Sequence, residues 1–264
     1  MKSQRKEDPA KPLHPALQRV DRSALPRHLA IIMDGNGRWA EGRGLSRIKG
    51  HQEGAESVHV MVRACAQLGI EVLTLYAFSE ENWGRPAKEV AALMKLLPRY
   101  LTEARADLLA NGIRLRAIGD IERLPSAARM VLKKTTADTA AGRRMTLVLA
   151  LSYGGRQEVI RAVRALCRRV ADGELKPEQV DQAALAGALD TAGLPDPDFL
   201  IRTSGEERLS NFLLWQAAYA EFHFSPVLWP DFREAQLAEA LAVYAGRQRR
   251  FGLTGDQAAE AGDG

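Results

Sequence analysis

Six short apolar runs, separated by longer segments with helical patterns, constrain the fold of this chain more than any other feature. Several of the runs are apolar at nearly every position, which is typical of strands buried on both faces of a parallel sheet. Strands that alternate with helices predict a single α/β domain whose helices cover both faces of the sheet. The runs are His28–Met33, Glu71–Phe78, Ile113–Ile118, Met145–Leu151, Asp198–Arg202 and Glu221–Phe224.

Three of the intervening segments have clear helical periodicity, and they span His51–Leu68, Lys88–Leu109 and Arg156–Ala171. Pro98 is expected to kink the second helix, because proline lacks a backbone donor and its ring clashes with the preceding turn. Both cysteines of the chain are expected to be buried as small apolar residues. In the third helix the apolar residues share one face, and they are Val159, Ile160, Val163, Leu166, Cys167 and Val170.

One domain over residues 26–252 is expected, because no repeat or linker interrupts the middle of the chain. The first 25 residues are polar and contain prolines, so they are predicted to form a disordered arm, and residues 253–264 a flexible tail. The 264 residues carry a net charge of +4 without a compact basic run, which argues against nucleic-acid binding. No apolar run reaches the ~18 residues that a membrane span needs. A cytoplasmic protein is expected.

Polar, glycine-rich and arginine-bearing segments follow the apolar runs. In parallel α/β sheets, ligands bind beyond the carboxyl ends of the strands. The candidate site therefore lies where these segments meet. They are residues 34–38 (DGNGR), 79–85 (SEENWGR), 119–120 (GD), 152–156 (SYGGR) and 203–208 (TSGEER).

The first of these segments allows three interpretations. Gly35, Gly37 and Ala40 match the dinucleotide pattern G-x-G-x-x-A, but the bulky Trp39 lies where helix and sheet must approach closely, and the ribose-binding acid is missing at the usual spacing. No P-loop motif exists. A hairpin is excluded because a helical pattern follows. An anion site remains, in which glycine N–H groups and Arg38 bind phosphate.

Asp34 would repel a bare phosphate, so a cation between them is the simplest explanation of its place. Mg²⁺ is typically held by one or two carboxylates plus diphosphate oxygens. Read alone, Asp34 is also compatible with a carboxylate that caps nearby amides, and Arg47 with His51 is compatible with a solvated basic helix face. A second arginine cluster, Arg202 with Arg208, favours two phosphorylated substrates and transfer between them.

Four segments, HLAIIMDGNGRWA, LTLYAFSEENWGRP, LSYGGRQEV and IRTSGEERLSNFLLWQAAYAEFHFSPVLWPDF, closely resemble the cis-prenyltransferase family, and within it the bacterial undecaprenyl diphosphate synthases. The resemblance runs from about His28 to Gly252. It implies a six-stranded, mostly parallel sheet flanked by helices, an apolar tunnel and a homodimer. It also implies Mg²⁺-dependent condensation of isopentenyl diphosphate onto an allylic diphosphate, with farnesyl diphosphate as the expected primer.

The resemblance also assigns roles to residues. Asp34 and Asn82 are implied as catalytic residues, and Asp34 and Glu221 as metal ligands. Arg250 and Gly252 are implied to reach into the partner subunit. The residues implied to bind substrate are Gly35, Asn36, Gly37, Arg38, Trp39, Arg47, His51, Ser79, Glu80, Glu81, Trp83, Arg85, Arg202, Arg208, Leu209, Ser210, Arg250 and Gly252.

The product is expected to be long, about 55 carbons, and to serve as undecaprenyl diphosphate, the lipid carrier of cell-wall glycan synthesis. Small Ala77 at the tunnel mouth and Met145 at its floor favour this length by resemblance. Val90, Leu93, Met94, Leu97, Leu101, Leu147 and Leu149 complete the implied wall. Transient membrane contact during product release is also implied. A shorter-chain synthase, a non-catalytic partner subunit and a dinucleotide-dependent oxidoreductase remain the alternatives.

Overall fold

All six apolar runs form strands of one sheet. The computed structural model describes residues 12–247, in which the strands are β1 (His28–Ile32), β2 (Val72–Ser79), β3 (Ile113–Ile118), β4 (Met145–Tyr153), β5 (Phe199–Arg202) and β6 (Glu221–Phe224). Their order is β3-β4-β2-β1-β5-β6, and every neighbouring pair is parallel. The predicted α/β class is confirmed, and the sheet is parallel throughout.

Helices cover this sheet on both faces. They are α1 (Pro15–Gln18), α2 (Asn36–Glu41), α3 (Arg47–Leu68), α4 (Ala87–Ala110), α5 (Ser126–Thr139), α6 (Gly155–Ala171), α7 (Gln182–Ala188) and α8 (Glu234–Ala245). Among residues 12–247, no helix combines the length and the apolar character that crossing a bilayer requires.

The two faces of the sheet bury separate apolar clusters. Leu29 and Ile31 of β1 belong to the larger cluster, together with residues of α3, α4, α5 and α8. Ala30 and Ile32 belong to the smaller cluster on the other face, with Phe212. Because side chains alternate along a strand, a run that is buried on both sides must be apolar throughout. This is the pattern from which the strands were predicted.

Two helices differ from the sequence prediction at their ends. Helix α3 begins at Arg47, one turn before the predicted start at His51, so both residues lie in its first two turns. Helix α4 continues through Pro98, and Thr102 Oγ1 donates a hydrogen bond to the Pro98 carbonyl. The proline therefore does not end the helix, and the kink expected there stays a prediction.

The predicted boundary of the disordered arm at residue 25 is wrong for the segment that the structure describes. Residues 12–25 pack against the domain, and Leu17 of α1 is only 1% exposed within the larger cluster. The polar and proline-rich composition of this segment conceals apolar residues that pack on the core, since Leu13, Val20 and Leu25 contact the larger cluster beside Leu17, and α1 contacts α8.

Helix α6 presents a different face to the sheet from the one its apolar pattern predicted. Glu158, Ala162 and Leu166 are buried, whereas Ile160 and Val163 are 49% and 42% exposed. Cys167 is exposed as well, so only one of the two cysteines is buried as predicted.

Hydrogen bonds to Glu158 explain this orientation of α6. Its carboxylate accepts from the Tyr153 hydroxyl (2.5 Å), from Gln216 Nε2 (3.0 Å to Oε2) and from the Asp190 N–H (3.0 Å). A buried carboxylate is tolerated when such donors satisfy it. Burial, the largest effect, nevertheless raises the pKa of Glu158.

Replacing Leu17 by alanine tests whether residues 12–25 belong to the fold. Leu17→Ala should lower the free energy of unfolding by about 2–4 kcal/mol, because a fully buried leucine is truncated. Urea unfolding followed by circular dichroism measures this change. The exposed neighbour provides the control, since Arg19→Ala should change the free energy by less than about 0.5 kcal/mol. Equal effects of the two variants would show that α1 does not stabilise the domain.

Candidate active site

The sheet topology places the candidate site at the carboxyl end of β1. The chain passes from β1 to β2 on one side of it, and β5 lies on the other side. The strand order therefore reverses at β1, and ligands of parallel α/β sheets bind at such a point. Asp34 lies two residues beyond the end of β1, level with the residues that follow Arg202 at the end of β5.

Asp34 lies between two arginines. Its Oδ2 accepts a hydrogen bond from Arg202 Nη2 at 2.9 Å, and its Oδ1 is 3.5 Å from Arg38 Nη2. The backbone around it is also fixed, because the Asp34 N–H donates to Thr203 Oγ1 and the Trp229 N–H donates to the Asp34 carbonyl. The side chain of Asp34 remains 32% exposed, so its carboxylate is accessible to a ligand.

The two arginines keep this carboxylate charged. Burial, the largest single effect, raises the pKa of Asp34. The hydrogen bond and the charge of Arg202, the charge of Arg38 and the N–H of Gly35 together outweigh burial and hold the pKa below its usual range. At neutral pH Asp34 is therefore an oxygen-donor anion that can hold a hard cation.

Arg202 connects Asp34 to the predicted second anion site. Its Nη1 donates to Ser210 Oγ at 2.7 Å and to the Arg208 carbonyl. Its Nε is buried without a hydrogen-bond partner among the described residues. The guanidinium of Arg208 is exposed and pairs with Glu206, which also lies 3.3 Å from Arg38. The structure thus brings Arg202, Arg208 and Ser210 together, as the resemblance implies.

A carboxylate on α4 organises the other basic group. Glu89, only 12% exposed, lies 3.0 Å from Arg85 Nη1, 3.3 Å from Arg47 Nε and 3.7 Å from His51 Nε2. Burial, followed by the charge of Arg85, lowers the pKa of His51 to about 4, so its imidazole is neutral at pH 7. Sequence reasoning missed Glu89, although its spacing of four from Arg85 at a helix start was a usable signal.

The basic group around Glu89, together with Asp34 and Arg38, opens into a cavity of about 260 Å³, whereas Arg202, Arg208 and Ser210 are not among the residues that line it. Nine of the residues that the resemblance implies line it, and they are Asp34, Gly35, Asn36, Gly37, Arg38, Arg47, His51, Asn82 and Arg85.

Two of the glycines in this cavity are required by geometry. Gly35 has φ +105°, a left-handed conformation that favours glycine, and a Cβ there would lie 2.8 Å from Leu228. A Cβ on Gly37 would lie 2.6 Å from the guanidinium carbon of Arg47. The glycines thus let α3 place its arginine directly against the loop.

Asn82 is held by its own local structure. A short 3-10 helix, Glu80–Gly84, follows β2, and Ser79 caps it. The Asn82 side-chain oxygen accepts from the Ser79 N–H at 3.1 Å, while the Asn82 N–H donates to Ser79 Oγ. The oxygen is therefore engaged, and the side-chain NH₂ remains as a donor at the cavity wall.

The other residues predicted in this segment do not line the cavity. Glu80 pairs with Arg123, and Glu81 accepts from Asn211 Nδ2 at 2.9 Å. Trp83 donates to Ser152 Oγ at 2.8 Å and packs on Phe78. They fix the loops around the site, and their predicted contact with substrate stays a prediction.

Trp39 also lies outside the cavity. Its indole N–H donates to Asp231 Oδ1 at 2.7 Å, and the guanidinium of Arg43 lies 4.2 Å from its ring centre. Trp39 is in the second half of α2, so the helical turn points it away from Gly35 and Gly37. Leu209 likewise packs against the smaller apolar cluster and not on the anion site.

Glu221 is placed at the wrong end of the sheet to share an ion with Asp34 in one chain. It begins β6, opposite Phe199, and pairs with Arg247 at 2.8 Å. Asp34 lies beyond the opposite ends of the strands, about five residues or ~16 Å further along. The sequence motifs did not reveal this difference. Asp34 and Glu221 each border a strand, but Asp34 follows the end of β1 and Glu221 begins β6. The predicted residues Arg250 and Gly252 lie outside the described residues.

Among residues 12–247, five non-glycine residues have positive φ; one lies near the end of β4, and the other four lie in the segment that follows β5. They are Ser152 (48°), Ser204 (78°), Ser210 (48°), Asn211 (63°) and Leu213 (45°). Such conformations cost of order 1–3 kcal/mol each and concentrate where structure is constrained by function. The loop that holds Ser210 is thus shaped by the surrounding contacts.

The donor set of the site fits Mg²⁺ only in part. Among residues 12–247 no group of three or more His, Cys, Asp or Glu side chains could hold a metal. Asp34, an accessible and ionised carboxylate, is compatible with an ion that takes most of its remaining ligands from phosphate oxygens and water. A dedicated protein cage for the metal is absent from this part of the chain.

Comparison with known proteins decides the family. Residues 32–252 match the family model described as "Putative undecaprenyl diphosphate synthase". The chain belongs to the undecaprenyl diphosphate synthase family. It is a prenyltransferase, as the four sequence motifs indicated.

Curated relatives in this family resemble the chain over nearly their whole length. An isoprenyl transferase of Geobacter sulfurreducens is 53% identical over 88% of this chain and 95% of the relative. One from Agrobacterium fabrum is 50% identical, over 91% and 98%. The ditrans,polycis-undecaprenyl-diphosphate synthase ((2E,6E)-farnesyl-diphosphate specific) of Xanthomonas axonopodis is 49% identical, over 93% and 96%.

Solved structures of the family share the fold. Lavandulyl diphosphate synthase from Lavandula x intermedia, in complex with dimethylallyl diphosphate, has a TM-score of 0.84 and 40% identity, covering 87% of this chain and 99% of its own. "A probable undecaprenyl diphosphate synthase" from Campylobacter jejuni has a TM-score of 0.71 and 34% identity, covering 86% and 99%.

Removing Arg202 should raise the pKa of Asp34. In Arg202→Ala the hydrogen bond and the charge that lower this pKa are lost, while burial still raises it. Carboxyl-carbon NMR of the protein labelled at aspartate measures the titration midpoint.

Arg38→Ala provides the comparison for this titration. It should cause a smaller rise, because its guanidinium acts only through charge at 3.5 Å. A midpoint that stays in place in Arg202→Ala would contradict the pairing.

Proposed function

We propose that this prenyltransferase condenses isopentenyl diphosphate onto an allylic diphosphate in a Mg²⁺-dependent reaction, with farnesyl diphosphate as the primer and a long-chain cis-polyprenyl diphosphate as the product. One observation carries the proposal. Asp34 lies between Arg202, which belongs to one basic cluster, and Arg38, which lines the same cavity as Arg47, His51 and Arg85 of the other. A single carboxylate shared by two anion sites is the arrangement that a reaction between two diphosphates needs.

Each basic cluster suits one diphosphate. Arg202, Arg208 and Ser210 offer two guanidinium groups and a hydroxyl, and we assign them to isopentenyl diphosphate. Arg47, Arg85 and the backbone N–H groups at the start of α2 face the cavity and suit the allylic diphosphate. The neutral imidazole of His51 adds a hydrogen-bonding group to that pocket without adding charge.

The reaction forms one carbon–carbon bond and releases one diphosphate. The bond from the allylic C1 to its diphosphate oxygen breaks, and the terminal alkene carbon of isopentenyl diphosphate bonds to C1. A proton then leaves C2 of the former isopentenyl unit, and the new double bond is cis. The basic residues around Asp34 stabilise the negative charge that develops on the leaving diphosphate.

Asn82 acts in this scheme as a hydrogen-bond donor. Its oxygen is engaged by the Ser79 N–H, and a neutral amide is a poor base. We therefore assign its NH₂ group to orienting a substrate oxygen. The proton passes to an oxygen of the released or the retained diphosphate in the same cavity.

Asp34 is the residue that would hold Mg²⁺, together with diphosphate oxygens and water. The ion, when bound, supplies charge that neutralises the diphosphate leaving group. Asp34 is ionised and partly exposed, and it is anchored by Arg202, so it is suited to this role.

Chain length and cellular role extend the proposal. A second cavity of about 140 Å³, lined mainly by apolar side chains of α3, α4 and the sheet, adjoins the first and supports an apolar tunnel for the growing chain. Undecaprenyl diphosphate, of about 55 carbons, is the proposed product, made for the lipid carrier of cell-wall glycans. The name of the Xanthomonas relative supports both the farnesyl primer and this product.

A cytoplasmic location and transient membrane contact belong to the same proposal. The unpaired, exposed Cys167 supports a reducing compartment. A long apolar product must leave the protein for a membrane, so contact with lipid at product release is expected from its chemistry alone. A fluorescently labelled enzyme that stays away from vesicles during turnover would contradict this contact.

Purified protein with farnesyl diphosphate and labelled isopentenyl diphosphate tests the activity. We expect polyprenyl products near 55 carbons with Mg²⁺ and none with EDTA, with lengths resolved by chromatography. Asp34→Asn should lower kcat by at least about 100-fold, because it removes one charge from the centre of the site.

This assay has a matched control variant, and two outcomes would contradict parts of the proposal. Asp138→Asn, on the outside of α5, should leave kcat unchanged, since Asp138 pairs only with surface cations. Short products would retain the enzyme class and exclude the undecaprenyl assignment. Absence of product with any allylic primer would exclude catalysis and favour a non-catalytic partner subunit.

A homodimer through the outer face of α6 is the proposed assembly. Ile160 and Val163 are exposed there, and Leu214, 37% exposed, lies against Gly155 at the start of the same helix. An apolar face of this kind marks an interaction surface. The cis-prenyltransferase resemblance, in which a C-terminal R-x-G reaches into a partner subunit, favours a second copy as the occupant.

Charges placed on this face should weaken the dimer. Ile160→Glu with Val163→Glu should raise the dimer dissociation constant at least about tenfold, because the charges would be buried without partners. Sedimentation velocity over a concentration series measures it. Met130→Glu is the control, since Met130 is 69% exposed on α5, away from the face. A monomeric wild-type protein would overturn the proposal.

A further inference from the structure

Two cavities of the domain meet at a common set of side chains. The first holds Asp34 and the basic residues, and the second adds about 140 Å³ further from them. The residues that line both cavities form the neck between them, and they are Met33, Ala55, Val58, Ala77, Leu97 and Tyr100. Any chain that passes from the first cavity to the second must pass this neck.

Tyr100 is the largest of these six side chains and the only aromatic one. Two of the others are alanines, which leave space, and Met33 and Leu97 are flexible apolar side chains. The neck is therefore narrowed mainly by one ring, which is carried by α4. Its two rotatable bonds give it a small number of discrete positions.

The hydroxyl of Tyr100 is buried and has no hydrogen-bond partner in the part of the chain that the structure describes. Leaving such a group unpaired costs about 1–3 kcal/mol, a cost that phenylalanine would avoid. Burial, the largest effect, raises the pKa of Tyr100, and Arg99, Glu103 and Glu56 are near enough to shift it. A ring that turns toward the outside of α4 would thus break no hydrogen bond and would gain polar surroundings.

The position of Tyr100 along α4 matches the length of a primer. Glu89, near the start of α4, contacts the basic residues of the diphosphate pocket. Tyr100 follows eleven residues later, which at the helical rise of 1.5 Å per residue is about 16 Å. That depth is comparable with an extended farnesyl chain. Each further isoprenoid unit would push the free end of the chain against the neck.

We propose that Tyr100 is a chain-length-determining residue, whose ring separates the two cavities and must be displaced by the free end of the growing prenyl chain. This inference rests on the proposed function, because it needs a chain that grows from the diphosphate pocket. The unpaired hydroxyl makes the displacement easier, since the outward position satisfies it. Of the two residues expected from the resemblance to set product length, Ala77 lies at the neck, whereas Met145 is not among the residues that line either cavity.

Product length in Tyr100 variants tests this inference. Tyr100→Ala should move the main product at least one five-carbon unit longer than that of the wild type, because the neck is opened. Tyr100→Trp should move it at least one unit shorter. Tyr100→Phe should also shift products to shorter lengths, since its ring gains nothing by turning outward. If Tyr100 had only a structural role, the alanine and tryptophan variants would not shift the product length in opposite directions.

Controls separate this inference from the proposed function. Lys95→Ala, at an exposed position on α4 that lines neither cavity, should keep the wild-type product distribution. Circular dichroism and thermal unfolding establish whether each variant is folded. If the alanine variant does not fold, the tryptophan variant still tests the inference. Wild-type protein that makes no prenyl product overturns the proposed function. An active wild type, with the same product lengths in the alanine and tryptophan variants, overturns the role of Tyr100.

Discussion

The ion pair between Asp34 and Arg202 is the interaction on which the rest of the site depends. It joins the loops after two adjacent strands, β1 and β5, and the same guanidinium holds the loop of Ser210. A buried ion pair is stable only when its remaining donors and acceptors are satisfied. Arg202 Nε has no partner among the described residues, and a bound anion would accept a hydrogen bond from it.

The strands, and the convergence of the residues predicted to bind anions, could be read from the sequence because their physical cause is local. A strand buried on both faces is apolar at every position, and the motif residues after β1 and β5 converge simply because parallel strands end at one edge. Glu221 shows the limit of this reasoning. It belongs to a motif but begins its strand, so one chain places it away from Asp34.

The remaining differences arise from tertiary contacts that a periodic pattern does not contain. Helix α6 is rotated because Glu158 finds three donors in the interior, which outweighs the preference of Ile160 and Val163 for burial. Leu17, with Leu13, Val20 and Leu25 packed beside it, holds on the core a segment whose composition resembles that of a disordered arm. Glu89 was missed because its function comes from its neighbours, Arg47 and Arg85, and not from a motif of its own.

The position of Glu89 has a consequence for how an anion enters the cavity. Two guanidinium groups and an imidazole already surround one carboxylate, so an incoming diphosphate exchanges with a resident anion and does not meet isolated positive charges. The net positive charge that the diphosphate meets in this pocket is therefore smaller than the number of basic residues suggests. Since screening by salt acts on net charge, affinity for the proposed allylic substrate should depend less on ionic strength than the arginines alone would require.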